Sequence, residues 1–125
     1  MLLFEEQTKT VIACFYKVYN TLGFGFLEKV YENALSYEIK KNKIHAIQQS
    51  PIKVYYENIV VGEYFADILV NDEIILEIKT ASGINAAHEA QLLNYLKATD
   101  KKLGLILCFG EEAKIRRIIN TKNPC

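Results

Sequence analysis

No sign of charge dominates this chain. Fifteen lysines and arginines balance fifteen aspartates and glutamates. Composition therefore gives no hint of a highly charged partner, and any nucleic-acid contact must be a local patch or lean on bound cations. Basic residues do gather at Lys40, Lys41 and Lys43, at Lys101 and Lys102, and at Lys114, Arg116 and Arg117. These clusters fit a solvated surface equally well. Cysteine is scarce: Cys14, Cys108 and Cys125 are an odd number without paired spacing, which suggests neither a disulfide framework nor a zinc site. Cys108 lies in an apolar run and reads as a core thiol. No apolar run is long enough to span a membrane. The acidic start at Glu5 and Glu6 argues against a signal peptide, so a cytoplasmic protein is expected. Repeats, linkers and low-complexity tracts are missing too.

What is present is material for a core. Half of the residues are hydrophobic, with eight tyrosines and six phenylalanines, and 125 residues suit one domain spanning 1–125.

Two apolar runs carry charges where none is expected. Ile74 to Ile78 reads as a buried central strand, yet Glu77 interrupts it. Glu77 and Lys79 are two apart and share a face. Asp67 interrupts the run from Tyr64 to Val70 in the same way, and Asn71-Asp72-Glu73 supplies turn chemistry between the two. A three-residue loop, Asn71 to Glu73, pairs Val70 with Ile74 and sets Asp67 opposite Glu77. A two-residue turn at Asn71-Asp72 pairs Asp67 with Leu76 and sends the carboxylates to opposite faces. The first register is the one expected here.

Opposed residues lie roughly 4.5–5.5 Å apart at Cα, so two carboxylates can share one hard cation through bonds of about 2.1 Å. Without a cation, charges about 4 Å apart repel by ~1 kcal/mol in water and ~4 at an effective dielectric of 20. Lys79 offsets part of that, and a divalent ion is the simplest occupant. The alternative is a hairpin with a solvated face and a Glu77–Lys79 surface pair.

Before these strands, Phe4 to Leu22 has helical spacing at Val11, Phe15, Tyr19 and Leu22. Gly23-Phe24-Gly25 interrupts it. A second helix is expected from about Phe26 to Lys41, with a stripe of Leu27, Val30, Tyr31, Ala34, Leu35 and Ile39. Glu28 sits at the edge of that stripe. It faces either a cleft or water, as a surface glutamate like Glu32 or Glu38. Ile44 to Ile47 begins a strand or a loop. Pro51 marks a strand edge, Ile52 to Tyr56 is a strand, and Glu57-Asn58 is a hairpin turn. Ile59 to Val70 follows, with Gly62 as a candidate bulge.

Asn85 to about Thr99 reads as a helix with Leu92, Leu93 and Leu96 on its apolar face. His88, Gln91 and Tyr95 form a stripe beside it. That stripe either lines a cleft, or splits into a core tyrosine and a polar rim. Leu103 to Phe109 is a buried strand, Glu111 to Ile119 a helix or a further strand, and Asn120 to Cys125 a frayed tail. Meander strands followed by a crossover helix give a mixed sheet with helices on its faces.

Asp67 followed by Glu77-Ile78-Lys79 resembles the PD-(D/E)xK motif. Gln91-Leu92-Leu93-Asn94-Tyr95 resembles the QxxxY motif of the RecB-like exonuclease branch, and Gly25-Phe26-Leu27-Glu28-Lys29-Val30-Tyr31 the signature of the small GxxExxY proteins of that superfamily. The likeness runs from about Gly23 to Asn120, although Ala66 stands where the literal motif has proline.

The resemblance implies one α+β domain with a restriction-endonuclease-like αβββαβ core. It also implies a metal-dependent nuclease acting on nucleic acid, DNA rather than RNA. Asp67 and Glu77 would bind Mg²⁺ or Mn²⁺ with the Ile78 carbonyl, and Glu28 would be a further acidic ligand. Lys79 would orient the attacking water, with Gln91 also at the catalytic site. Tyr95, His88 and Tyr31 would position substrate. A homodimer would extend the footprint, and no membrane is involved. The competing reading is a catalytically silent nucleic-acid-binding or accessory module, against which the intact acidic pair with Lys79 stands.

Overall fold

Eight elements follow one another in the computed structural model, which describes residues 4–121. Helix α1 spans Glu5–Leu22 and α2 Glu28–Lys41. Strands β1 (Ala46–Tyr56), β2 (Ile59–Val70) and β3 (Ile74–Lys79) lead to helix α3 (Ala86–Ala98). Strands β4 (Leu103–Phe109) and β5 (Ala113–Ile119) complete the order. The expected αβββαβ order is thus present, with an extra leading helix and a fifth strand.

Local chemistry explains the boundaries. In α1, Val11, Cys14, Phe15 and Val18 repeat at three and four residues and are buried, while Glu5 and Glu6 face the positive end of the helix dipole. Gly23 stops the helix at φ 70°, its N–H donating to the Tyr19 carbonyl. In α2 the stripe is rotated from the expected one. Leu27 and Val30 are exposed, and Tyr31, Glu32, Leu35, Ser36 and Ile39 are buried. The stripe begins only at Tyr31, because Leu27 precedes the helix in extended conformation. Glu57 and Asn58 both take positive φ, the conformation of a tight hairpin turn, and join β1 to β2. The bulge falls beside Gly62: Val54 pairs with Gly62 and Tyr55 with Val60, which leaves Val61 over. Pro51 lies inside β1, which is tolerable because β1 is an edge strand. Within Glu111 to Ile119 the strand is Ala113–Ile119, not a helix.

The five strands lie in the order β1-β2-β3-β4-β5. Only β3 and β4 run parallel, and α3 makes the crossover between them. Helices α1 and α2 pack on one face, over Ile68, Val70, Ile74, Leu76, Ile78, Leu105 and Leu107. Helix α3 packs on the other, with Leu92, Tyr95 and Leu96 over Ile52, Ala66, Ile75 and Ile106. Its approach is close: a Cβ on Gly104 of β4 would lie 2.7 Å from Leu92. This is a mixed α+β sheet flanked by helices, consistent with a restriction-endonuclease-like fold. The tail differs from expectation at its start. Asn120 is buried and its N–H donates to the Lys102 carbonyl, while residues 122–125 of the expected frayed tail lie outside the described range. Among the described residues, no helix is long and apolar enough to cross a membrane.

Candidate active site

The β2–β3 ladder pairs Val70 with Ile74, Leu69 with Ile75 and Ile68 with Leu76, around the turn Asn71 to Glu73. That is the three-residue register. Beyond Ile68 the main-chain pairing ends and two side chains replace it. The Asp67 N–H donates to Glu77 Oε2 at 3.0 Å, and the Ile78 N–H donates to Asp67 Oδ2 at 2.7 Å. Each carboxylate thus satisfies the main chain beside the other. Glu77 is only 4% exposed, which rules out the solvated hairpin face. Burial, and then the charge of Asp67, pushes the Glu77 carboxyl up to about 8. Burial also raises Asp67. The Ile78 N–H pulls it back, and the Glu32 carboxylate adds to the rise.

The ladder ends here because alternation fails at Asp67. Ile68 and Val70 pack under α1 and α2, yet Ala66 packs under α3. Across from this point Gln49 sits at φ 53°, a left-handed conformation that costs a non-glycine residue about 1–2 kcal/mol. Gln48 pairs with Ile68 and Ser50 with Ala66, while Gln49 and Asp67 drop out of the pairing. The twist turns consecutive glutamines toward one partner. Gln48 Nε2 donates to Glu32 Oε2 at 2.7 Å, and Gln49 Nε2 to Glu32 Oε1 at 2.9 Å. Gln49 Nε2 also reaches Asp67 Oδ1 at 3.5 Å. Glu32 is 4% exposed and also pairs with Lys29. It is therefore no ordinary surface glutamate. Sequence reasoning missed Glu32, Gln48 and Gln49. The only available signal was a second acid one helical turn beyond Glu28.

Lys79 follows Glu77 on the α3 side, and its ammonium donates to Gln91 Oε1 at 3.1 Å. Tyr95, one turn beyond Gln91, is buried in the α3 core. Burial, then the charges of Glu77 and Asp67, raises its phenol. The strand charges and two members of the α3 stripe therefore converge.

His88 and Tyr31, expected to position substrate, are both engaged in contacts within the fold. The His88 N–H donates to Asn85 Oδ1, and His88 Nδ1 accepts from the Asn85 N–H, so the ring closes a capping box at the start of α3. Tyr31 is fully buried. Its hydroxyl donates to the Gly23 carbonyl at 2.6 Å and accepts from the Phe26 N–H, and its ring stacks on Phe109 at 4.3 Å. It braces the turn that leads into α2. Glu28 opens α2 and is exposed, and its charge is felt at Glu77. It does not complete a ligand cluster: among the described residues, no three His, Cys, Asp or Glu side chains are arranged to hold a metal ion.

The remaining donor set nevertheless fits one hard divalent cation. Asp67 and Glu77 each commit one oxygen to a main-chain N–H; Glu77 keeps the other, and Asp67 Oδ1 has only the long 3.5 Å contact from Gln49. The Ile78 N–H points toward β2, and in a strand the carbonyl of the same residue points the same way. The β2 main chain does not pair there, so that carbonyl joins the two carboxylates on one edge. Mg²⁺ binds by one or two carboxylates and keeps several waters.

Known proteins agree with this architecture. The crystal structure of SSO0001 matches with a TM-score of 0.57 and 20% sequence identity, over 74% of this chain and 49% of that one. The chain thus spans about half the length of that protein, and the likeness is one of fold. No curated protein matches it. The profile of the PD-(D/E)XK nuclease superfamily matches residues 5–118. Members of that superfamily generally are hydrolytic nucleases that act on nucleic acid with divalent metals such as Mg²⁺. The chain belongs to the PD-(D/E)XK nuclease superfamily.

Proposed function

We propose that this protein is a Mg²⁺- or Mn²⁺-dependent nuclease that hydrolyses phosphodiester bonds in DNA. The observation that carries the reading is the Asp67–Glu77 pair. It is two carboxylates facing each other where β2 leaves β3, Glu77 held by the Asp67 N–H and Asp67 by the Ile78 N–H, with Lys79 beside them. In the absence of a cation this arrangement leaves one carboxyl protonated near neutral pH. Asp67, Glu77 and the Ile78 carbonyl would hold the ion. When bound, it polarises the scissile phosphate and makes water a better nucleophile at neutral pH.

The chain's own residues do the rest. Gln91 fixes the Lys79 ammonium on the α3 side of the pair. There it orients the attacking water and stabilises negative charge as it develops on the phosphate. Gln49, anchored on Glu32, holds Asp67 from the opposite strand. Glu28, at the positive end of α2, would add a further negative charge for the ion at the rim of the site. Tyr95 lines the substrate side. Its motif with Gln91, and that of Gly25, Glu28 and Tyr31, support assignment to the GxxExxY group of the RecB-like branch. We read the chain as one nuclease domain of a cytoplasmic protein whose buried thiols, Cys14 and Cys108, are free. A homodimer would lengthen its footprint on DNA.

The test is cleavage of single- and double-stranded DNA and RNA with Mn²⁺ or Mg²⁺, with wild type beside Glu77→Ala and Lys79→Ala, each checked for folding. Cleavage of DNA that both variants lose is the expected result. Intact metal binding without cleavage of any substrate would overturn it.

A further inference from the structure

A groove of about 650 Å³ opens between α3 and the β1–β2 hairpin, on the same side of the sheet as Lys79. Its floor on α3 is made of small side chains, Ala87 and Ala90, which leave the helix surface flat. One wall is the Tyr64 ring on β2. That ring is half-exposed and lies 5.6 Å from the buried ring of Tyr95, tilted by 37°. Gln91 lines the groove and also accepts the Lys79 hydrogen bond, so the groove borders the Lys79 side of the Asp67–Glu77 site. Lys97 stands at the groove with its ammonium exposed. Tyr64 is on this side only because the alternation of β2 breaks at Asp67.

We infer that this groove seats an unstacked base next to the scissile phosphate, and that the substrate is single-stranded nucleic acid. The inference deepens the nuclease reading and rests on it for the place of the phosphate. An aromatic face backed by a second ring is a stacking platform for a base of any identity. A paired base has both faces covered by its neighbours and cannot use the platform. The volume is that of a small-ligand pocket, room for a nucleotide or two rather than a duplex. Lys97 in the groove and Lys79, held by Gln91 at its border, meet the charge of the backbone.

The experiment measures binding of a fluorescein-labelled oligothymidylate and of a blunt hairpin duplex, in the Glu77→Gln background so that substrate is not consumed. Tyr64→Leu removes the ring and Tyr64→Phe keeps it. Stacking is worth about 1–3 kcal/mol per base, so Tyr64→Leu should weaken single-strand binding by about tenfold, and Tyr64→Phe by less than about twofold. The single-strand to duplex affinity ratio should fall in parallel with Tyr64→Leu. Duplex bound as tightly as the single strand, or single-strand binding indifferent to Tyr64→Leu, would overturn the inference. So would a dimer in sedimentation that Tyr64→Leu dissociates and the oligonucleotide does not, since a second copy would then fill the groove. Ring-dependent binding with no cleavage by wild type would sink the nuclease reading and leave the groove standing. Cleavage with ring-independent binding would do the reverse.

Discussion

Replacing Glu77 by glutamine should stabilise the metal-free protein at alkaline pH. The substitution keeps an oxygen that accepts the Asp67 N–H and removes the ionisable group. In the folded chain burial and Asp67 raise the Glu77 carboxyl from 4.5 to about 8. A carboxyl raised on folding contributes stability that is complete below its unfolded value and lost as pH rises through its folded value. Metal-free wild type should therefore lose stability between about pH 4.5 and 8, at up to about 1.4 kcal/mol per pH unit, with a ceiling of about 5 kcal/mol. Asp67, also raised, adds to the loss. Urea unfolding in EDTA at pH 5, 7 and 9, followed by circular dichroism, reads this directly. Glu77→Gln should match wild type near pH 5, exceed it at pH 9 and vary less between. Mn²⁺ should restore wild type at pH 9 and leave the variant nearly unchanged. A flat wild-type profile, or a variant less stable than wild type at pH 9, would refute the reasoning.

Substitutions at two further positions test the supports of the site. Gln49→Gly should be more stable than Gln49→Ala by roughly 1 kcal/mol, because φ 53° strains only the residue with a Cβ; isothermal titration with Mn²⁺ should show both binding the ion about tenfold more weakly than wild type, since both release Asp67 Oδ1. Tyr31→Phe should lose about 1–2 kcal/mol in thermal unfolding, through its bonds to Gly23 and Phe26, while Mn²⁺ affinity stays within a factor of about two.

The sequence alone carried the strand pair, its turn and the charges that do not belong in it. Glu77 in a β-branched run and Asp67 in its neighbour are legible because an ionised side chain in a buried strand is costly and needs a reason. The turn Asn71 to Glu73 set the register, since turn residues constrain φ locally. Helix periodicity located α1, α2 and α3 to within a few residues, as near-neighbour spacing predicts.

Tertiary structure decided which polar groups meet. Glu32 and Glu28 are one turn apart on the same helix, and periodicity cannot tell which one the sheet will cover. Packing rotated the α2 stripe, so Glu32 went inside and Glu28 stayed out. The left-handed Gln49 has no sequence signal, because glutamine rarely adopts it and the surrounding contacts impose it. Tyr31 reads as a site residue only through its motif and His88 only through the α3 stripe; a stack on Phe109 engages the first and a cap made with Asn85 the second. Local chemistry thus determined the elements and the improbable charges. The assignment of side chains to core or site depended on long-range packing, which sequence spacing does not encode.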